Sequence, residues 1–243
     1  KSVFRSTYKS ITNFGIQRIR LDQVGNTTLS ITEETKFTFK LARHAEMVGD
    51  CHLVVTLPDI WSPLVNIAEP PFNIVDDDLK VKWMETGFKW IEELGTNMIN
   101  EVEITSGGQS FGKYTGEYFS LVTHRDYPDK VELWNQMTGN VPELNDPANA
   151  YGRDDCYPNV NVDSMSPNDD LEPSIRGRKL YIPLNMWFTR GPGVALPLVA
   201  SQYDEITIVL KLKPIKDLFV VRDIRDVSNA YPYVAPNMAL PEH

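Results

Sequence analysis

Residues 178–213, RKLYIPLNMWFTRGPGVALPLVASQYDEITIVLKLK, hold two alternating runs joined by a Gly/Pro corner. Leu180, Ile182, Leu184, Met186 and Phe188 share one parity, and Lys179, Tyr181, Asn185 and Thr189 share the other. Period two is the pattern of a half-buried strand. Arg190-Gly191-Pro192-Gly193 breaks the run, because Gly opens unusual φ values and Pro withdraws a donor. Alternation resumes at Ile206, Ile208, Leu210 and Leu212, with Thr207, Lys211 and Lys213 opposite. Two strands with one apolar face require further strands to cover them.

The rest of the chain supplies candidates. Ile16–Leu21 reads as a short strand, followed by a turn at Gly25-Asn26. Thr28–Leu41 alternates through Leu29, Ile31, Phe37, Phe39 and Leu41, with a break or bulge expected at Glu33-Glu34. Asp50–Leu57 is the next strand, ended by Pro58-Asp59. A Pro-rich loop covers 58–78, and Val81–Ile91 is an aromatic strand or loop against the core. Asn97–Ser106 and Gln109–Tyr114 flank Gly107-Gly108, a hairpin signal. Thr115–Arg125 and Asp129–Met137 switch to helical spacing. Residues 139–177, rich in Asn, Asp, Pro and Ser, read as a long surface excursion. Leu218–Val221 is a last strand, and 223–243, with three prolines, reads as a linker or tail. The sum is about eight strands, two short helices and long loops. That pattern predicts an all-β fold, an eight-stranded jelly-roll β-sandwich.

Signs of chemistry are sparse. His44, His52, His124 and His243 are too scattered for a metal-ligand spacing. Neither a nucleophile elbow nor a phosphate-binding Gly-rich loop is present. Asp76-Asp77-Asp78, Asp154-Asp155 and Asp169-Asp170 read as solvated loop charge rather than a calcium loop, whose spacing they lack. Trp83, Trp90, Trp134 and Trp187 suit core or interface packing more than sugar stacking. Val194–Val199 with Trp187 suits the core more than a subunit contact. Asn26-Thr27-Thr28 is a glycosylation sequon, which makes Asn26 a candidate modification site. Cys51 falls in an apolar alternating run and Cys156 in a polar loop, so both are expected as free thiols. A net charge of −9 argues against a general phosphate-binding surface. No apolar run approaches the ~20 residues that span a bilayer. These residues predict no catalytic, cofactor or metal site. They favour a binding or assembly module over an enzyme.

Four stretches, in order, resemble motifs of the major capsid proteins of nucleocytoplasmic large DNA viruses. They are KSVFRSTYKSITNF (1–14), GDCHLVVTLP (49–58), EVEITSGGQSFGKYTGEY (101–118) and KLYIPLNMWFTRGPGVALPLVASQYDEI (179–206). Gly112 departs from the family's usual Asp, and Thr105-Ser106 from its Ile. The resemblance implies a structural role. It makes 1–222 the first of two jelly rolls, and 223–243 a linker or the start of the second. It further implies homotrimers forming pseudo-hexagonal capsomers of an icosahedral shell over an internal membrane. Neighbouring capsomers and minor capsid proteins are the implied partners, without direct nucleic-acid binding. Assembly would take place in the host cytoplasm and the protein would reside in the virion. The start at Lys1 reads as a position inside a longer protein. The alternative is a single-roll minor capsid, vertex or carbohydrate-binding attachment protein. A cupin-like enzyme, which would need bound metal, is the third reading.

Overall fold

A computed structural model describes residues 13–25, 28–62, 64–66, 83–158, 172–201, 203–226 and 231–239. The strands of the first half are β1 (Gln23–Val24), β2 (Thr35–Lys40), β3 (Met47–Val48), β4 (His52–Thr56), β5 (Leu64–Asn66), β6 (Trp83–Glu85), β7 (Phe88–Trp90), β8 (Ile99–Ser106) and β9 (Gln109–Tyr114). Those of the second half are β10 (Lys179–Pro183), β11 (Leu196–Pro197), β12 (Ile206–Leu212), β13 (Phe219–Arg222) and β14 (Tyr233–Val234). Between them lie helices α1 (Leu94–Asn97), α2 (Gly116–Asp126), α3 (Val131–Thr138) and α4 (Pro142–Asn145).

Two distant arms of the chain pair in successive stretches. Thr35 to Lys40 align with Leu212 to Thr207. Met47-Val48 align with Pro197-Leu196, His52 to Thr56 with Pro183 to Lys179, and Ile60 with Ile175. This is one antiparallel ribbon. Its β2–β12 end lies in a five-stranded sheet of order β1-β2-β12-β8-β9, and its β4–β10 end forms a separate two-stranded layer. A long ribbon folded across two layers is the jelly-roll arrangement. The arms differ in length at the fold. From Val48 to His52 the first arm takes four steps while its partner takes thirteen, from Leu196 to Pro183. The surplus contains the Arg190–Gly193 corner, which forms a 3-10 turn at Pro192–Val194.

The core lies between the layers. Ile206, Ile208, Leu210 and Leu212 are buried, opposite Phe37 of β2 and Val102 and Ile104 of β8. The second layer contributes Leu57, Leu180 and Ile182, with Leu94, Phe119 and Trp134 from the helices. Each such side chain contributes ~1.5–3 kcal/mol on burial. The predicted parity from Leu180 to Phe188 holds, since all five residues are buried. The strand itself ends at Pro183. Beyond it Thr189 Oγ1 donates to the Leu184 and Met186 carbonyls, at 3.3 and 3.0 Å, and closes a turn that keeps Met186 and Phe188 inside.

Several expectations are corrected. No strand forms at Ile16–Leu21; Gln23–Val24 pairs instead, and Ile16 is exposed. Fourteen strand segments among the described residues replace the expected eight, because the corner and bends divide the arms into pieces. Leu94–Asn97 and Pro142–Asn145 add two one-turn helices to the two expected. The stretch 139–158 is not a surface excursion. Val141, Leu144, Ala148, Ala150 and Tyr157 are all buried. They are spaced singly among polar residues, so no periodicity betrays them. Residues 159–171 lie outside the described residues, as do most of 58–78.

Other elements form as expected. The break at Glu33-Glu34 is a bend before β2. Gly107 and Gly108, at φ +55° and +85°, make the β8–β9 hairpin turn that non-Gly residues disfavour. Thr115 caps α2 by accepting from Tyr118 N–H at 3.3 Å. Gly139 ends α3 at φ +83°. The stretch read as a linker or tail differs: Tyr233–Val234 returns to pair with Val221 and Arg222, and Lys89 Nζ lies 4.3 Å from the Tyr233 ring centre.

Candidate functional site

The chemistry-bearing residues singled out in the sequence are dispersed. His44, His52 and His124 are exposed on different elements, and His243 lies outside the described residues. Among the described residues no three His, Cys, Asp or Glu side chains gather where a metal ion could sit. Asp154 and Asp155 are exposed at positive φ; Asn26, Asp76–Asp78 and Asp169-Asp170 lie outside the described residues. Cys51 and Cys156 are free thiols. Cys51 is half-buried beside the core, and burial, reinforced by Asp50, raises its pKa to about 11. Trp90 and Trp134 are core residues, whereas Trp187 is part-exposed. The Val194–Val199 run divides, with Leu196 and Leu198 buried and Val194 and Val199 exposed.

What the molecule presents instead is a rigid block with two unlike faces. Rigidity begins where the helices meet. A Cβ on Gly116 would stand 1.8 Å from the Thr96 carbonyl oxygen, and one on Gly95 2.5 Å from that of Thr138. Backbones therefore touch between α1 and both α2 and α3. Glu93, at φ +48°, accepts from Ser120 Oγ at 3.1 Å and from Thr96 Oγ1 at 3.3 Å. Its N–H donates to Asn140 Oδ1 at 3.2 Å. Tyr157 fastens the following loop, donating to Phe88 C=O at 2.9 Å and accepting Phe88 N–H at 3.1 Å.

The outer face of the five-stranded sheet is laced with opposite charges. Lys211 Nζ lies 2.8 Å from Glu101, Lys113 Nζ 3.4 Å from Glu103, and Lys40 Nζ 2.8 Å from Glu205. The Ser110 hydroxyl and then Lys113 hold the Glu103 carboxyl below its ordinary range. Glu101 raises Lys211. The outer face of the β4–β10 layer is different. Val54 and Tyr181 are directly paired there, 52% and 46% exposed. Periodicity in the sequence placed Leu53 and Val55 inward; it could not show that the outward neighbours form an apolar centre.

At the corner between the layers, an open cleft of about 340 Å³ is lined by Leu41, Arg43, Leu198, Tyr203 and Glu205. Arg43 crosses it, donating to the Ser201 and Asp204 carbonyls. Tyr203 of its lining is 93% exposed, and Met47, which pairs with Pro197, and Val199, next to Leu198 in the chain, are exposed as well. The chain thus carries apolar contact surface at a corner and on one face of a stiff sandwich. Contact surfaces of that kind suit packing against other proteins.

Jelly-roll sandwiches with contact surfaces of this kind form a class in which viral shell subunits are prominent. The particular family follows from comparison: residues 2–239 match the family described as "Major capsid protein N-terminus", and the chain belongs to it. It is 27% identical to the major capsid protein of Chrysochromulina ericina virus, over 93% of this chain and 40% of that protein. It is 26% identical to the major capsid protein of Phaeocystis pouchetii virus, over 88% and 37%. Among solved structures, a quasi-atomic model of the PBCV-1 virus capsid aligns with TM-score 0.55 and 19% identity, over 88% of this chain and 38% of that one. The Faustovirus major capsid protein aligns with TM-score 0.53 and 12% identity, over 89% and 46%. These structural likenesses show the fold. The chain spans about 40% of the length of the curated relatives it matches.

Proposed function

We propose that this chain is the first jelly roll of a major capsid protein and builds the shell of a large DNA virus by self-assembly. The match of residues 2–239 to the N-terminal region of that family carries the reading. In it, three copies form a pseudo-hexagonal capsomer that contacts neighbouring capsomers and minor capsid proteins. The shell lies over an internal membrane, is assembled in the host cytoplasm and resides in the virion. The role is structural rather than catalytic. Residues 1–222 are one jelly roll, and 223–243 lead toward a second. The limited coverage of the relatives supports this, because well over half of their length is unmatched.

The physical properties agree. Interlocked helices and a two-layer core give a block that transmits load without bending. A net charge of −9 keeps subunits apart in solution before assembly. Full-length protein from its native source, measured for intact mass and by light scattering, tests the proposal. The expected result is a polypeptide well over twice this length, at three times its own mass in solution. A strictly monomeric full-length protein overturns it. A native chain ending near His243 would favour the single-roll vertex or attachment role.

A further inference from the structure

Charge is unevenly distributed along the chain. Residues 1–21 contain Lys1, Arg5, Lys9, Arg18 and Arg20 and no Asp or Glu. Residues 22–243 therefore hold the remaining 19 basic residues against all 33 acidic ones. The described part of this basic segment, 13–20, is exposed at every position and contains no helix. Phe14 and Ile16 are 84% and 86% exposed, so two large apolar side chains stand in water on a segment that makes no hydrogen bond to a strand among the described residues.

An edge suited to such a segment lies on β4. Leu57 N–H donates to Arg178 C=O at 2.8 Å, and Leu184 N–H to Cys51 C=O at 2.9 Å. That register turns the odd residues of β4 toward β10. The N–H and C=O groups of His52, Val54 and Thr56 then face the far edge, where no described residue meets them. Natural sheets guard such edges with Lys, Pro or a bulge. His52-Leu53-Val54-Val55-Thr56 has none of these, whereas the β9 edge has both Lys113 and a bulge. Asp50, exposed, flanks the β4 edge at its start, whereas Asp59 at the other end accepts from Gly177 N–H at 2.6 Å on the β10 side.

We propose that residues 13–20 of one copy add as a strand to the β4 edge of a second copy. Phe14 and Ile16, on one parity, extend the Val54–Tyr181 apolar face. With Ile16 opposite Val54 in an antiparallel pair, Phe14 lies opposite Thr56, Arg18 opposite His52, and Arg20, 2.8 Å from Asp22 of its own chain, falls opposite Asp50 just past the edge. A bilayer is the other surface a basic, apolar segment suggests. It does not serve an extended one, because lipid offers no partner for the backbone amides, and a sheet edge does. The contact deepens the assembly reading and rests on it.

The test uses full-length protein in a Cys156→Ser background. One preparation carries Ile16→Cys and another carries Val54→Cys; they are mixed and oxidised. Paired strands bring Cα atoms to about 5.5 Å, within disulfide reach. The expected result is a covalent heterodimer at least tenfold above either preparation alone, reduced at least tenfold by Arg18→Glu with Arg20→Glu. That double variant is expected to keep its melting temperature. Trimers that form without cross-linking overturn the inference and leave the capsid reading intact, whereas monomers defeat both. Cross-linking within one chain at high dilution, or protease protection of 13–20 only on phosphatidylserine vesicles, also overturns it.

Discussion

At Gly116 the cost of a single methyl group can be read from one distance. Its Cβ would stand 1.8 Å from the Thr96 carbonyl oxygen, with the Ile99 carbonyl at 2.8 Å. Neither backbone oxygen can swing away as a side chain does. Gly116→Ala is expected to destabilise by about 3 kcal/mol or more, read from denaturant midpoints. Gly15→Ala, with nothing within 4 Å, is expected to be neutral. The sequence shows a glycine opening a helix but not the approach of α1 that requires it, because Thr96 lies twenty positions upstream. Cys51 separates from Cys156 in the same way. Alternation marked Cys51 as apolar, and burial turns that into chemistry: with its pKa at about 11, little thiolate exists near neutrality. At pH 8, iodoacetamide followed by mass spectrometry is expected to label exposed Cys156 rapidly and Cys51 only on unfolding. The folded pKa lies above the unfolded 9.0. This group's contribution to stability is therefore complete below pH 9 and fades toward pH 11.

Elements differ in how plainly the chain announces them. β12 and the β8–β9 hairpin were legible because one buried face imposes period two and two glycines fix the turn. The loop 139–158 was not, because it is held by single anchors. Tyr157 is one, with its hydroxyl bonded to both backbone groups of Phe88. Tyr157→Phe is expected to cost ~1–3 kcal/mol, since the part-buried Phe88 N–H and C=O lose their partner beside the buried Tyr157 ring. Limited proteolysis should then cut within 139–158 before the rest of the domain opens. Phe188, fully buried in the surplus of the second arm, is the larger anchor. Phe188→Ala is expected to cost ~3–5 kcal/mol in thermal or denaturant unfolding. The charged ladder on the five-stranded sheet is a device of solvent pH. Glu103 is held below its ordinary 4.5, so its contribution is present above that pH and lost as pH falls through the folded value. Lys211 is raised above 10.5, so its contribution is present below that pH and lost as pH rises beyond it. Glu103→Gln is expected to flatten the acid limb of the melting curve against pH and leave the alkaline limb unchanged.

Across the whole molecule, the jelly roll is a statement about pairing between 35–60 and 175–212, which no local window contains. The motifs at 49–58 and 179–206 hint at it only through family resemblance; the register shows it as one ribbon. The surfaces were least legible, since apolar residues that face outward look in sequence like any others. Val54 and Tyr181 acquire meaning only as a directly opposed pair beside an open edge. In the proposed function this ribbon is the repeating unit of a viral shell. Electron cryomicroscopy of purified particles from the native source tests it most directly. This chain's two-layer ribbon is expected to fit three times into every capsomer over the faces of the shell. Density for the chain confined to the vertices, or missing from the shell, would contradict it.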